Sequence, residues 1–174
     1  MINQKCLFVD MDSVVADWIT GARTYLQQHN LDEDENGIIP PHQWNRLKEH
    51  HRFYQDLPLL AGANELMAWA TQYSTDHNLH LAFLTAIPNG NDSPYAFYDK
   101  VRWAEEHFPD IPVFFGPYSS DKKVHCKPGD ILIDDRIENC KDWRDAAGIA
   151  HQYTTWEKCQ EWIADGLPSG AEKS

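Results

Sequence analysis

A basic surplus, paired cysteines and long apolar runs are all missing from this chain, and each absence closes a class of function. The formal net charge is −12. Broad binding to a polynucleotide depends on many Lys and Arg side chains neutralising phosphates, so no nucleic-acid partner is expected. Small phosphorylated ligands stay open, because a bound cation and a few local lysines reverse the field inside one pocket. Cys6, Cys126, Cys140 and Cys159 contain no C-x-x-C pair, which argues against a zinc knuckle or a disulfide framework and for reduced thiols. No stretch approaches the roughly 18 apolar residues of a membrane span, and no basic segment precedes a hydrophobic one at the N-terminus. A soluble, cytoplasmic protein that is not exported and has no membrane contact is expected. There is no G-x-x-x-x-G-K-[ST] loop, which argues against a P-loop kinase, and no internal repeat.

What is present is ordinary globular material. Hydrophobic residues make up 42% and charged residues 24% of 174 positions, enough for one well-cored domain carrying a small insertion. Short apolar runs predict buried strands at Cys6–Val9, Leu81–Leu84, Val113–Phe115 and Ile131–Ile133, with a weaker one at Ile149–Tyr153. Apolar residues at helical spacing predict helices over Asn64–Tyr73 and Tyr98–His107. Alternating strands and helices imply an α/β fold with a mostly parallel sheet. The interval from Trp18 to Leu60 is far longer than a βα connection needs. It predicts helices over Ile19–Asn30 and Pro41–Tyr54, joined by a solvated loop over Asp32–Gly37. The predicted organisation is a core of residues 1–17 and 61–166, a helical cap of residues 18–60 and a frayed tail of residues 167–174.

Chemistry gathers at predicted strand ends. Asp10-Met11-Asp12-Ser13 follows the first strand directly. In an open α/β sheet the carboxyl ends of strands face the crevice where ligands bind. The i, i+2 spacing lets one carboxylate and a backbone carbonyl hold a metal while the other carboxylate moves protons. Thr85 ends the second strand and Asp134-Asp135 the fourth, and Lys122, Lys123 and Lys127 lie just ahead of that fourth strand.

In this order the residues resemble the haloacid dehalogenase superfamily of phosphatases. Val9-Asp10-Met11-Asp12-Ser13-Val14, Leu84-Thr85, a lysine at 122 or 123 and Ile133-Asp134-Asp135 look like its four motifs. Ala16-Asp17-Trp18, Leu59-Leu60-Ala61-Gly62-Ala63, Trp103 with Glu105, and Leu132-Ile133-Asp134-Asp135-Arg136 are most similar to the 5′(3′)-deoxyribonucleotidases. The resemblance implies a Rossmann-like parallel sheet with a helical cap after the first strand. It also implies a magnesium-dependent phosphomonoesterase of nucleoside monophosphates that works through an aspartyl-phosphate. Asp10 would then be the nucleophile and Asp12 the general acid and base. Asp10, the carbonyl of Asp12 and Asp134 would hold Mg²⁺, with Asp135 orienting them. Thr85 and Lys122 would bind the phosphoryl group, and Trp18, Phe53 and Tyr54 the base. Lys123 and Lys127 remain alternatives for the lysine, because the interval from Lys122 to Asp134 is longer than the family's. Two further departures are Ser13, where the family most often has Gly, and Ala86, which cannot donate a side-chain hydrogen bond to phosphate. Another small phosphomonoester, a nucleic-acid 3′ phosphate end, or a non-catalytic phospho-ligand module are the competing readings. A homodimer is left open.

Overall fold

A computed structural model describes residues 4–28, 46–47, 51–88 and 94–165. The strands are β1 (Cys6–Val9), β2 (His80–Thr85), β3 (Val113–Phe115), β4 (Ile131–Asp134) and β5 (Ile149–Gln152). They form one sheet in the order β3-β2-β1-β4-β5. Every pairing is parallel: Val9 lies beside Phe83 of β2 and beside Ile133 of β4. The helices are α1 (Trp18–Gln28), α2 (Ala63–Asp76), α3 (Ala96–His107), α4 (Ile137–Asp145) and α5 (Trp156–Ala164), and a 3₁₀ helix spans Ser119–His125.

Burial on both faces explains why the strands read as near-continuous apolar runs. Leu7, Val9, Phe83, Ile131 and Ile133 join one core with Leu66, Met67 and Ala70 of α2 and Trp103 of α3. Phe8, Ala82, Leu84 and Leu132 meet Cys140 and Trp143 of α4 on the other face. Phe8 and Trp143 pack edge to face at 5.6 Å. Trp103 and Trp143 are fully buried, and truncation of either to Ala would cost about 3–5 kcal/mol.

Local chemistry sets the element ends. Asp17 caps α1, its Oδ1 accepting from the Thr20 amide at 2.9 Å and its Oδ2 from the Thr20 hydroxyl at 2.7 Å. Thr155 caps α5 through the Lys158 amide. Gly62 precedes α2 with φ 84°, and a Cβ there would fall 2.6 Å from Cβ of Trp156; only glycine suits both demands.

Most predicted elements are present with small extensions: α2 and α3 begin earlier than their apolar stripes, and β4 runs on to include Asp134. The helix predicted over Pro41–Tyr54 differs. Residues 46–47 are helical, but residues 51–56 form turns. Phe53 and Tyr54 are adjacent and both buried, whereas a helix would send neighbouring side chains about 100° apart. Residues 29–30 of the first predicted cap helix, the Asp32–Gly37 loop, residues 41–45 and 48–50, and the tail of residues 167–174 lie outside the described residues. No helix among the described residues is long and apolar enough to cross a membrane.

Candidate active site

The chain runs from β1 outward through β2 to β3, then crosses back to β4 on the other side of β1. The switch point therefore lies between the ends of β1 and β4, and Asp10 and Asp134 stand there. The Asp10 amide donates to the Ile133 carbonyl at 2.9 Å, locking the two strand ends together. Beyond Asp10 the chain turns tightly. The Ala16 amide donates to the Met11 carbonyl at 2.9 Å, and Ser13 takes φ 60°. That left-handed backbone fits the glycine the resemblance implies at this position.

Lys122 ties the two carboxylates together. Its buried Nζ lies 2.8 Å from Oδ1 of Asp10 and 2.7 Å from Oδ2 of Asp134. The 3₁₀ helix brings it there, passing so close to Gly116 that a Cβ on that residue would fall 2.7 Å from the Lys122 amide nitrogen. Of the other two lysines, Lys123 is exposed and pairs with Asp142. Lys127 is held by its backbone amide to Asp130, at the start of β4.

Asp134 has no exposure. Its Oδ1 accepts from the Arg136 amide at 2.9 Å and from Asn139 Nδ2 at 2.9 Å. Asn139 Nδ2 also lies 3.0 Å from Oδ2, while Asn139 Oδ1 accepts from the Ser119 hydroxyl. Asp135 instead lines the open cavity beside Asp10, Asp12 and Lys122. Carboxylate oxygens of Asp10, Asp134 and Asp135 lie within 4.8 Å of one another.

Such crowding perturbs the carboxyls. Burial pushes Asp10 up to about 8; Lys122 opposes this, and Asp134, Asp12 and Asp135 add to it. Burial, with Asp134 and Asp12, pushes Asp135 up to about 6. Burial alone would discharge Lys122, but Asp10 and Asp134 outweigh it and hold the ammonium charged above its ordinary value.

A second lysine, missed by the sequence reading, stands behind Asp12. Lys100 of α3 is 1% exposed. Its Nζ lies 2.5 Å from Oδ2 of Asp12, 2.9 Å from Oγ1 of Thr85 and 4.6 Å from the centre of the Tyr54 ring. Its signal was available: Lys100 falls one turn before Trp103, on the apolar stripe of its helix. Asn139 was likewise readable only as a polar residue one turn into a helix that the sequence pattern did not reveal.

The cavity of about 520 Å³ carries an acidic end and an aromatic lining of Trp18, Phe53 and Tyr54. Trp18 meets Phe53 edge to face at 5.8 Å, and Phe53 meets Tyr54 at 5.1 Å. Ala86, Ile87 and Pro88, which follow β2, also line it, as does Arg136. Thr85 is fully buried beneath. The structure thus gathers Asp10, Asp12, Lys122, Asp135 and the three rings around one space, with Thr85 and Asp134 behind it.

Comparison with known proteins agrees with this architecture. The family model described as 5' nucleotidase, deoxy (pyrimidine), cytosolic type C protein matches residues 4–163. No curated protein matches the chain. Among solved structures, YfnB of Bacillus subtilis, assigned to the HAD-hydrolases and bound to magnesium, superposes with a TM-score of 0.58 at 12% identity, over 94% of this chain and 99% of that one. A hydrolase from Streptococcus pneumoniae TIGR4 superposes with a TM-score of 0.54, also at 12% identity, over 94% of this chain and 100% of its own. At that identity the two likenesses speak for the fold.

Proposed function

The chain belongs to the 5' nucleotidase, deoxy (pyrimidine), cytosolic type C family, a family of phosphate-ester hydrolases, and from that premise we propose a magnesium-dependent phosphatase of deoxyribonucleoside monophosphates that works through an aspartyl-phosphate. The observation that carries the reading is the Asp10–Lys122–Asp134 clamp at the sheet's switch point, facing a cavity whose other side is aromatic. Among the described residues, four carboxylates, Asp10, Asp12, Asp134 and Asp135, surround this end against the cations of Lys100, Lys122 and Arg136. That uncompensated negative charge suits a divalent cation, and a set made only of oxygens suits a hard one such as Mg²⁺.

The geometry favours a different division of the metal site from the one the resemblance implies. Asp134 already spends its oxygens on Lys122, Asn139 and the Arg136 amide, whereas Asp135 lines the cavity. In our reading Asp10, Asp135 and the backbone carbonyl of Asp12 would hold the ion, and Asp134 orients Lys122. When bound, Mg²⁺ neutralises charge on the phosphoryl oxygens and fixes their orientation.

Oδ1 of Asp10 is held by the Met11 amide and by Lys122, which leaves Oδ2 to attack phosphorus. A bond forms from Oδ2 to phosphorus as the bond to the nucleoside oxygen breaks, and Asp12 gives that oxygen a proton. Water then attacks the aspartyl-phosphate, Asp12 takes its proton, and inorganic phosphate leaves with Asp10 restored. Lys122 offsets charge on the transferring group, an effect that grows in a water-poor site. Trp18, Phe53 and Tyr54, which line the cavity, stack the base in our reading; in single-strand complexes such stacking contributes about 1–3 kcal/mol.

The test is phosphate release from deoxy- and ribonucleoside 5′- and 3′-monophosphates, with Mg²⁺ and with chelator, beside Asp10→Asn. Release that needs Mg²⁺, favours deoxyribonucleotides and vanishes in the variant is expected. Undiminished turnover by Asp10→Asn would remove the nucleophile from the scheme.

A further inference from the structure

A buried ammonium needs a reason, because removing one from water costs several kcal/mol unless partners replace the solvent. Lys100 has three partners, drawn from three different parts of the fold. It reaches Asp12 on the turn after β1, Thr85 at the end of β2 and the Tyr54 ring in the segment after α1. It does not line the cavity, and Lys122 does, so Lys100 is badly placed to touch a phosphoryl group. Asp12, by contrast, is open enough to meet a ligand, its side chain being 32% exposed.

We infer that Lys100 is a positioning residue for proton transfer, fixing the plane of the Asp12 carboxylate so that its second oxygen meets the leaving oxygen of the substrate. This rests on the phosphatase reading above. A carboxylate on a turn rotates about its last side-chain bond; a short bond from Lys100 to Oδ2 removes that freedom and leaves Oδ1 to exchange the proton. Thr85 holds the ammonium from the sheet side. Tyr54 covers it from the cap side, where a cation over an aromatic face is attracted to it. The same helix grips the covering segment at two further points. Trp103 Nε1 donates to the Leu57 carbonyl at 2.8 Å, and Asp99 accepts from the Tyr54 amide. Lys100 therefore touches both Tyr54 and Asp12, while Asp99 and Trp103 seat the segment that carries Tyr54.

The experiment compares kcat/KM on thymidine 5′-monophosphate and on p-nitrophenyl phosphate, with Mg²⁺, for wild type, Lys100→Met and Lys100→Arg. The sugar alkoxide needs a proton as it leaves, whereas p-nitrophenolate does not. A misaimed acid therefore costs only on the nucleotide, by about 100-fold for a displacement near one ångström. Expected is that loss for Lys100→Met with the aryl ester little changed. Lys100→Arg keeps the charge but cannot match a compact ammonium's simultaneous contacts. It should show the same selective loss at smaller size, and it carries the test should the methionine variant fail to fold. Equal losses on both substrates, or none on either, would overturn the role of Lys100. A wild-type protein inactive on both would overturn the phosphatase reading, and the inference with it.

Discussion

Asp134 accepts hydrogen bonds from Lys122, the Arg136 amide and Asn139 with none of its surface exposed, while its neighbour Asp135 meets the cavity. Strand alternation produces the difference. Asp134 continues β4 on the face of Leu132, towards α4 and the 3₁₀ helix, and Asp135 is the first residue beyond the strand. Asp134→Ala should destabilise the protein by about 3 kcal/mol, since it takes one of two carboxylates from the buried Lys122 ammonium and leaves Asn139 and the Arg136 amide without their acceptor. Without metal and above about pH 6, Asp135→Asn should melt somewhat above wild type, since it removes a carboxyl whose ionisation burial opposes, but it should lose most of its stabilisation by Mg²⁺. Denaturant melts with and without Mg²⁺ check both, and a stability loss confined to Asp135→Asn would reverse the assignment. The paired motif was legible in the sequence, but which member faces the cavity was not. That depends on the residue at which β4 ends, and apolar patterning stops at Ile133. Lys100 escaped for a related reason: on a helix read for its apolar stripe, a lysine counts as surface until its partners from distant segments are in place.

Among the elements, α3 does the most to shape the site, because Asp99, Lys100 and Trp103 all face the segment of residues 51–57. Asp99 is 1% exposed and its Oδ2 has no hydrogen-bond partner. Burial pushes its carboxyl up to about 6; Asp56 adds to this, while the Tyr54 amide, Arg52 and His51 oppose it. A folded-state value above the unfolded one means that the contribution is complete below the ordinary value of 3.8 and is lost as pH rises through about 6. Asp99→Asn keeps an acceptor for Tyr54 and carries no charge. Its melting temperature should gain on wild type as pH rises from about 4 to about 7 and stay level beyond that. A difference that does not change with pH would remove Asp99 from this account. The turns at residues 51–56 were the element least readable from sequence, since their aromatic residues are ordered by contacts with α1 and α3 rather than by a local period. The apolar strands were readable because both faces of the sheet are covered.

Taken as a molecule, the acidic chain gathers the carboxyls of Asp10, Asp134 and Asp135 within 4.8 Å of one another at one edge of its sheet. In the folded state Asp10 and Asp135 are both raised, to about 8 and about 6. Their contribution to stability is present at low pH and is lost as pH rises through those values. Mg²⁺ requires them ionised, so its binding releases protons and grows stronger with pH. The rise in melting temperature caused by Mg²⁺ should be small near pH 5 and several-fold larger near pH 9, and chelator should abolish it. An equal rise at both would detach the ion from these carboxylates. The alternation of strands and helices was enough to read a parallel sheet from the sequence. The order β3-β2-β1-β4-β5 was not readable from pattern alone, because periodicity says that a strand is buried without saying beside which other strand.

That order has a consequence for synthesis. A nascent chain can pair β1, β2 and β3 as they leave the ribosome, yet one side of β1 stays open until β4 emerges, and until then Asp10 lacks Asp134. The elements that precede β4 therefore come together around an incomplete centre. A product truncated before β4 would lack Asp134 and Asp135, and with them one wall of the switch point where Asp10 stands.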